Sequence, residues 1–254
     1  MFRPRVIPVL LLKNKGLFKS IKFNQYKYIG DPINAVKIFN DLKADELVFL
    51  DILATNENRK ISLDFVRTVG EEANMPFAVG GGIRTIEDIR EILHEGAEKV
   101  VINSQAIKNP DFIKNAADTF GSSTIVVCID AKKKLLGGYQ VYTHSGTKNT
   151  HLSVDESSRY MQELGAGELI IQSVSHDGMM SGYDLELIKL ISCAVTIPVV
   201  ALGGAGSISD IEKVIVESKA SAAAAGSMFV YHGPRHGVLI NYPTQRELNK
   251  ITIY

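Results

Sequence analysis

Short, continuously apolar runs alternate along the chain with stretches in which apolar residues recur at helical spacing. The apolar runs are Arg5–Leu12, Glu46–Asp51, Phe77–Gly80, Lys99–Asn103, Thr124–Asp130, Glu168–Ser173, Val199–Leu202 and Ala222–Ser227. Runs without polar alternation are what strands buried on both faces require. Between them Ile33–Leu42, Ile61–Glu72, Ile86–Glu95 and Leu185–Cys193 read as amphipathic helices covering such a sheet. Eight successive βα units predict an α/β fold, a closed (βα)8 TIM barrel, with an open doubly wound sheet as the second choice. No Ser- or Pro-rich linker interrupts the series, so residues 1–254 are expected to form one domain.

An internal repeat favours closure. Phe77-Ala-Val-Gly-Gly-Gly-Ile-Arg84 recurs as Val200-Ala-Leu-Gly-Gly-Ala-Gly-Ser207. Each copy is followed by a helix and then by a strand ending in Asn103-Ser104 or Gly226-Ser227. Two similar half-barrels place these copies on opposite sides of one mouth.

Composition narrows the function classes. Apolar residues make up 45% of the chain, enough for a large core, and 28 basic residues balance 28 acidic ones. Zero net charge gives no electrostatic reason to expect a nucleic-acid groove or a membrane surface. The apolar run Val6–Leu12, which follows Met1-Phe2-Arg3-Pro4-Arg5, is too short to span a bilayer and shows no cleavage-site pattern. Cys128 and Cys193 form no spacing framework and lie in apolar segments, so both are expected as reduced, buried thiols of a cytoplasmic protein.

Strand-end residues take priority in such a barrel, because the βα loops form its active face. Gly80-Gly81-Gly82 and Gly203-Gly204-Ala205-Gly206 each end a strand and open a helix. There glycine lets backbone amides approach an anion, and the helix dipole favours negative charge. The two phosphate grips are expected at Gly81, Gly82, Asn103 and Ser104, and at Gly204, Gly206, Gly226 and Ser227. Lys19 in the first βα loop suits an added phosphate anchor, a lid or, equally, a solvated surface lysine, and Asp177-Gly178 after the sixth strand is expected to join the phosphate-binding set. Asp130 closes the fifth strand, and with Asp177 it offers a carboxylate pair for acid–base work. Asp51, a third mouth carboxylate, suits loop organisation equally well. His176 reads as a satisfied loop residue. His232 and His236 have i, i+4 spacing, but Gly233-Pro234 between them argues against a helix; no metal and no cofactor are expected.

At the opposite end, Arg5, Glu46, Lys99 and Glu168 stand at the starts of different strands. Four charges of alternating sign there form either a salt-bridge plug or a gate.

These residues resemble the HisF family, the synthase subunits of imidazole glycerol phosphate synthase. The matching stretches include Gly30-Asp-Pro32, Asp45-Glu-Leu-Val-Phe-Leu-Asp51, Val79-Gly-Gly-Gly-Ile83, Phe120-Gly-Ser122, Gly165-Ala-Gly-Glu168, Gly182-Tyr-Asp184 and Gly203-Gly-Ala-Gly206. The resemblance implies a HisH-like glutaminase docked at the N-terminal face. Ammonia would pass the charged gate of Arg5, Glu46, Lys99 and Glu168 and travel up the barrel to a phosphorylated ligand at the mouth. It also implies two catalytic aspartates, ending strands 1 and 5. Asp130 matches the second, but Leu11 stands where the first belongs, and Ser175 replaces the first aspartate of the family's Asp-Arg-Asp-Gly loop. With Pro8-Val-Leu-Leu-Leu-Lys-Asn14 and Gly233-Pro-Arg-His-Gly-Val238, the chain is most similar to the WbuZ branch, associated with amidino groups on bacterial surface sugars. That branch implies a further partner, an ATP-dependent sugar amidotransferase. An ordinary cyclase of histidine biosynthesis and a non-catalytic scaffold with a vestigial phosphate site are the alternatives.

Overall fold

The computed structural model describes residues 3–135, 137–233 and 235–251. The barrel strands are β1 (Arg5–Lys13), β2 (Leu47–Asp51), β3 (Phe77–Gly80), β4 (Lys99–Ile102), β5 (Ile125–Lys133), β6 (Glu168–Ser173), β7 (Val199–Leu202) and β8 (Ala222–Ala225). All eight run parallel, and each hydrogen-bonds to both neighbours. The circle closes between β1 and β8, where Arg5 is in register with Ala222 and Pro8 with Ala225. The predicted closed barrel is the observed one; the open sheet is excluded.

Alternation along each strand divides the apolar residues into two cores. On β1, Val6, Leu10 and Leu12 pack outward against the helices, whereas Ile7 and Val9 face the lumen. The lumen is lined by Val48, Ala78, Val101, Val126, Val200 and Ala224, among others. Short, branched or methyl side chains are what an eight-strand interior accommodates.

Two strands run longer than the sequence pattern indicates, for the same reason. β1 and β5 each continue into an antiparallel ribbon at the mouth. The first ribbon, Gly16–Ile21 with Asn24–Gly30, pairs Phe18 with Leu11. The second, Tyr139–Thr143 with Lys148–Ser153, pairs Tyr142 with Asp130. Conversely β4 and β8 stop early, because Ser104 and Ser227 already open short helices.

The half-barrel repeat is present in three dimensions, but one residue out of the register that the Gly-rich text suggests. The strands and capping boxes align Phe77 with Val199, Thr85 with Ser207 and Asp88 with Asp210. In both boxes the hydroxyl accepts the N3 amide while the aspartate accepts the N-cap amide. Gly82 and Gly204 then become equivalent. Each has positive φ, 67° and 110°, and an added Cβ would lie 1.8 Å from the Arg59 carbonyl oxygen or 2.1 Å from that of Gly182.

One further expectation changes. Cys128 is buried in the lumen, but Cys193 is exposed because it caps the outer end of the helix Leu185–Ser192. The expectation that His232 and His236 do not share a helix holds: Tyr231–His232 pairs with Gly237–Val238 as a short hairpin. Pro234, like Met1 and Phe2, lies outside the described residues.

The glycine geometry yields a stability prediction. Gly82→Ala and Gly204→Ala should each cost at least about 2 kcal/mol, since positive φ and a carbonyl clash act together. Urea unfolding measures this; midpoints unchanged within error would contradict the equivalence.

Candidate active site at the barrel mouth

The N-terminal end of the lumen is closed by charge. The Arg5 guanidinium bonds both Glu46 and Glu168, and Lys99 Nζ reaches each of the same carboxylates at 3.1 Å. The four side chains form a ring of alternating sign. Glu46 and Glu168 are buried, and each is held by two cations. Inward-pointing carboxylates at this depth require such partners, because an unpaired buried charge is strongly destabilising.

At the other end the lumen opens into a cavity of about 730 Å³. Asp130 on β5 and Leu11 on β1 both line it. Those strands are four apart in a ring of eight, so the two residues stand on opposite walls. Burial pushes the Asp130 carboxyl up to about 7, aided by Asp177 and opposed by Asn103 and Lys132. A carboxylic acid held near neutrality can donate or accept a proton at physiological pH. Leu11 supplies neither capability and packs, with Leu50, on the apolar lumen.

Asp177 is committed elsewhere. Its carboxylate accepts hydrogen bonds from Ser20 Oγ (2.7 Å), the Phe23 amide (3.4 Å) and Gln172 Nε2 (3.3 Å), and its carbonyl accepts the Lys22 amide (2.9 Å). Gly178 lies so close that a Cβ would sit 2.1 Å from the Ser20 carbonyl. Asp177-Gly178 therefore fastens the first ribbon over the mouth, which is a different task from holding a phosphate. Lys19 is carried inward by the same ribbon. Its Nζ is buried, 2.5 Å from the Val9 carbonyl and against Gly226. Burial lowers its pKa to about 8, opposed by Asp177.

Around the wall, Gly81, Gly82, Asn103 and Ser104 lie together on one side, and Gly204, Gly226 and Ser227 on the other. Asn103 and Gly226 occupy equivalent N-cap positions of the two short helices, and neither helix has a side-chain cap. The Ala106 and Phe229 amides bond back to the Asn103 and Gly226 carbonyls, which leaves the amides at the start of each first turn to face an anion in the cavity. Gly206 does not join them: its amide is donated to Asp210 inside the capping box, and it lies outside the cavity lining. Asp51 is also taken, accepting the Leu53 and Ala54 amides and pairing with Arg59. His176 bonds Ser173 Oγ at 2.9 Å as a loop residue.

Sequence reasoning missed both ribbons and with them Ser20, Thr143 and His144, and it missed Gln172 on β6; all four line the mouth. A signal was present in the second ribbon. Tyr139, Val141 and Thr143 alternate with polar residues ahead of Ser145-Gly146, a hairpin pattern.

Comparison with known proteins places these features in context. Residues 5–234 match the family model described as histidine biosynthesis protein. The chain is 46% identical over 232 residues to the imidazole glycerol phosphate synthase subunit HisF of Alkaliphilus metalliredigens, covering 91% of this chain and 92% of that one. A relative from Pseudomonas aeruginosa is 43% identical over 253 residues, with 100% of both chains covered. One from Vibrio vulnificus is 43% identical over 251 residues, covering 98% and 96%. The last two carry provisional HisF subunit names bearing the numerals 2 and 3.

The Asp130 environment predicts a pH signature. Its folded pKa lies above the unfolded value, so folding favours the protonated form. The resulting stability is complete below about pH 4 and lost as pH rises through about 7. Asp130→Asn, which cannot ionise, should melt higher than the parent at pH 8, by at most about 4 kcal/mol in unfolding free energy. The advantage should shrink towards pH 5. A difference that is constant from pH 5 to 8 would contradict the buried, neutral carboxyl.

Proposed function

Because this chain belongs to the histidine biosynthesis protein family and is HisF-like along its length, we propose that it receives ammonia from a HisH-like glutaminase and conducts it through the barrel. In this reading the glutaminase docks on the N-terminal face, and ammonia enters by breaking one side of the Arg5–Glu46–Lys99–Glu168 ring. The single observation behind it is the stack of environments along one axis: a paired charge ring, an apolar lumen, then a polar mouth. Neutral ammonia crosses such an apolar stretch without the desolvation cost that ammonium meets.

The acceptor chemistry in this proposal is amidination of a bacterial surface sugar, completed on a separate ATP-dependent amidotransferase. Leu11 supports it, since a conduit needs no second acid–base group whereas ring closure does. The numerals in the names of the Pseudomonas and Vibrio relatives fit a copy that serves a second pathway. The two anion grips in the mouth remain available to a phosphorylated ligand. Asp177 does not replace the missing aspartate, because its oxygens are engaged by Ser20, Phe23 and Gln172.

Gate and plug differ in one measurable ratio. In the reconstituted complex, Lys99→Ala should preserve glutaminase binding and raise glutamine consumed per product made several-fold. Activity with externally supplied ammonia should change little, because that route enters at the mouth. A parental ratio combined with a lower melting temperature would leave only the plug.

A further inference from the structure

We infer that the ammonia-exit face is a docking surface for an acidic-faced protein, the enzyme that takes up the ammonia. This rests on the proposed conduit. The two ribbons and their approaches, residues 13–30 and 131–153, carry nine lysines and no carboxylate. In a chain of zero net charge, the rest of the molecule therefore holds nine more acidic than basic residues. The third mouth element behaves alike: the hairpin after β8, Tyr231–His232 with Gly237–Val238, contains no acidic residue. All three segments follow strands of the C-terminal face, and Lys27 Nζ lies over the Tyr231 ring at 5.5 Å, joining the first ribbon to the tail hairpin.

Lys15, Lys22, Lys27, Lys134, Lys148 and Arg235 are exposed around this rim. Among the described residues none of the six takes part in an ion pair, although their neighbour Lys133 pairs with Glu186 and ion pairs are common elsewhere on the surface. So many unpaired cations on one rim repel one another, and an acidic partner relieves that repulsion and is steered onto the face. A small phosphorylated ligand needs no such breadth. It is gripped inside the cavity, which Lys148 alone of the six lines, whereas Lys15, Lys22, Lys27 and Lys134 stand outside it.

Apolar surface beside the charge points to a protein partner over a free anion. Ile21 and Tyr28 on the first ribbon are 42% and 58% exposed, and Leu152 at the base of the second is 46% exposed. Leu152 and Ile107 also border a second groove of about 380 Å³ that adjoins the mouth, lined by Pro110, Tyr160 and Met161 together with Ser153, Ser157 and Glu156. Apolar surface beside a charged rim is the anatomy of a protein interface. Seated there, a partner would seal the exit and keep ammonia from bulk water, where it would protonate.

The test uses the full chain, its glutaminase and the ATP-dependent amidotransferase of the same organism. Association is measured by sedimentation without turnover, so that a failed conduit does not mask it. Binding should weaken at least tenfold between 50 and 300 mM salt, on the order expected for steered, charge-matched interfaces. The triple variant Lys22→Glu, Lys27→Glu, Lys134→Glu should weaken it at least tenfold at low salt while leaving glutaminase affinity and glutamine hydrolysis unchanged. Zero-length carbodiimide coupling should join these lysines to partner carboxylates. The proposal is overturned if the amidotransferase does not bind, if the triple variant binds as the parent does, or if the variant loses only pyrophosphate affinity. Docking without coupled product formation would instead count against the conduit and leave the docking face standing.

Discussion

Every second residue of the eight strands points into a lumen that closure makes inescapable, and that constraint governs both ends of this molecule. An inward side chain has only two acceptable states: apolar and compact, or charged and fully paired. The middle of the barrel takes the first course, with valines, alanines and Cys128. Its base takes the second, where Glu46 and Glu168 each hold both Arg5 and Lys99. Opening such a ring on one side leaves a carboxylate half-compensated, so the closed form dominates and any opening is brief. The same ring thus closes the base of the lumen.

The mouth follows from what happens when strands outgrow the barrel. β1 and β5 lie half a barrel apart, and each runs on into a ribbon that folds over the cavity. The ribbon tips meet: a Cβ on Gly146 would stand 2.9 Å from the Phe23 ring. The Asp177 carboxylate fastens the first ribbon, and Lys132 holds the second through the Gly146 carbonyl at 2.6 Å. Lys19 is carried inside as a consequence, and burial beside the Val9 carbonyl gives it a softened charge. Asp130 lies beneath this cover, and exclusion from water is what raises its pKa.

Much of this was legible in the sequence, because burial on both faces writes a simple signal. Eight apolar runs marked eight strands, and the charges at their starts marked the ring. The pattern did not reveal the ribbons, whose half-exposed strands Asn24–Gly30 and Lys148–Ser153 have almost no buried positions. It also misaligned the half-barrels by one residue, because glycine identity was matched where strand ends and caps set the true register. The role of Asp177 was hidden for the same reason as the ribbons: its partners Ser20, Phe23 and Gln172 are distant in sequence and only closure brings them together. Gly206 looked free because the Asp210 carboxylate that takes its amide is a tertiary detail of a cap.

In the function proposed here, one wall of the mouth separates this chain from a ring-closing enzyme: Leu11 lines it opposite Asp130. The most direct measurement is single-turnover cyclase activity of the purified barrel with ammonia and the ribulose-bearing nucleotide, for the parent and for Leu11→Asp. With one acid–base group missing, the parent should run roughly 10² to 10⁴ below an ordinary cyclase, and the variant should recover part of that loss. Parental turnover in the ordinary enzymatic range of about 1 to 10³ per second, unimproved by Leu11→Asp, would contradict the account.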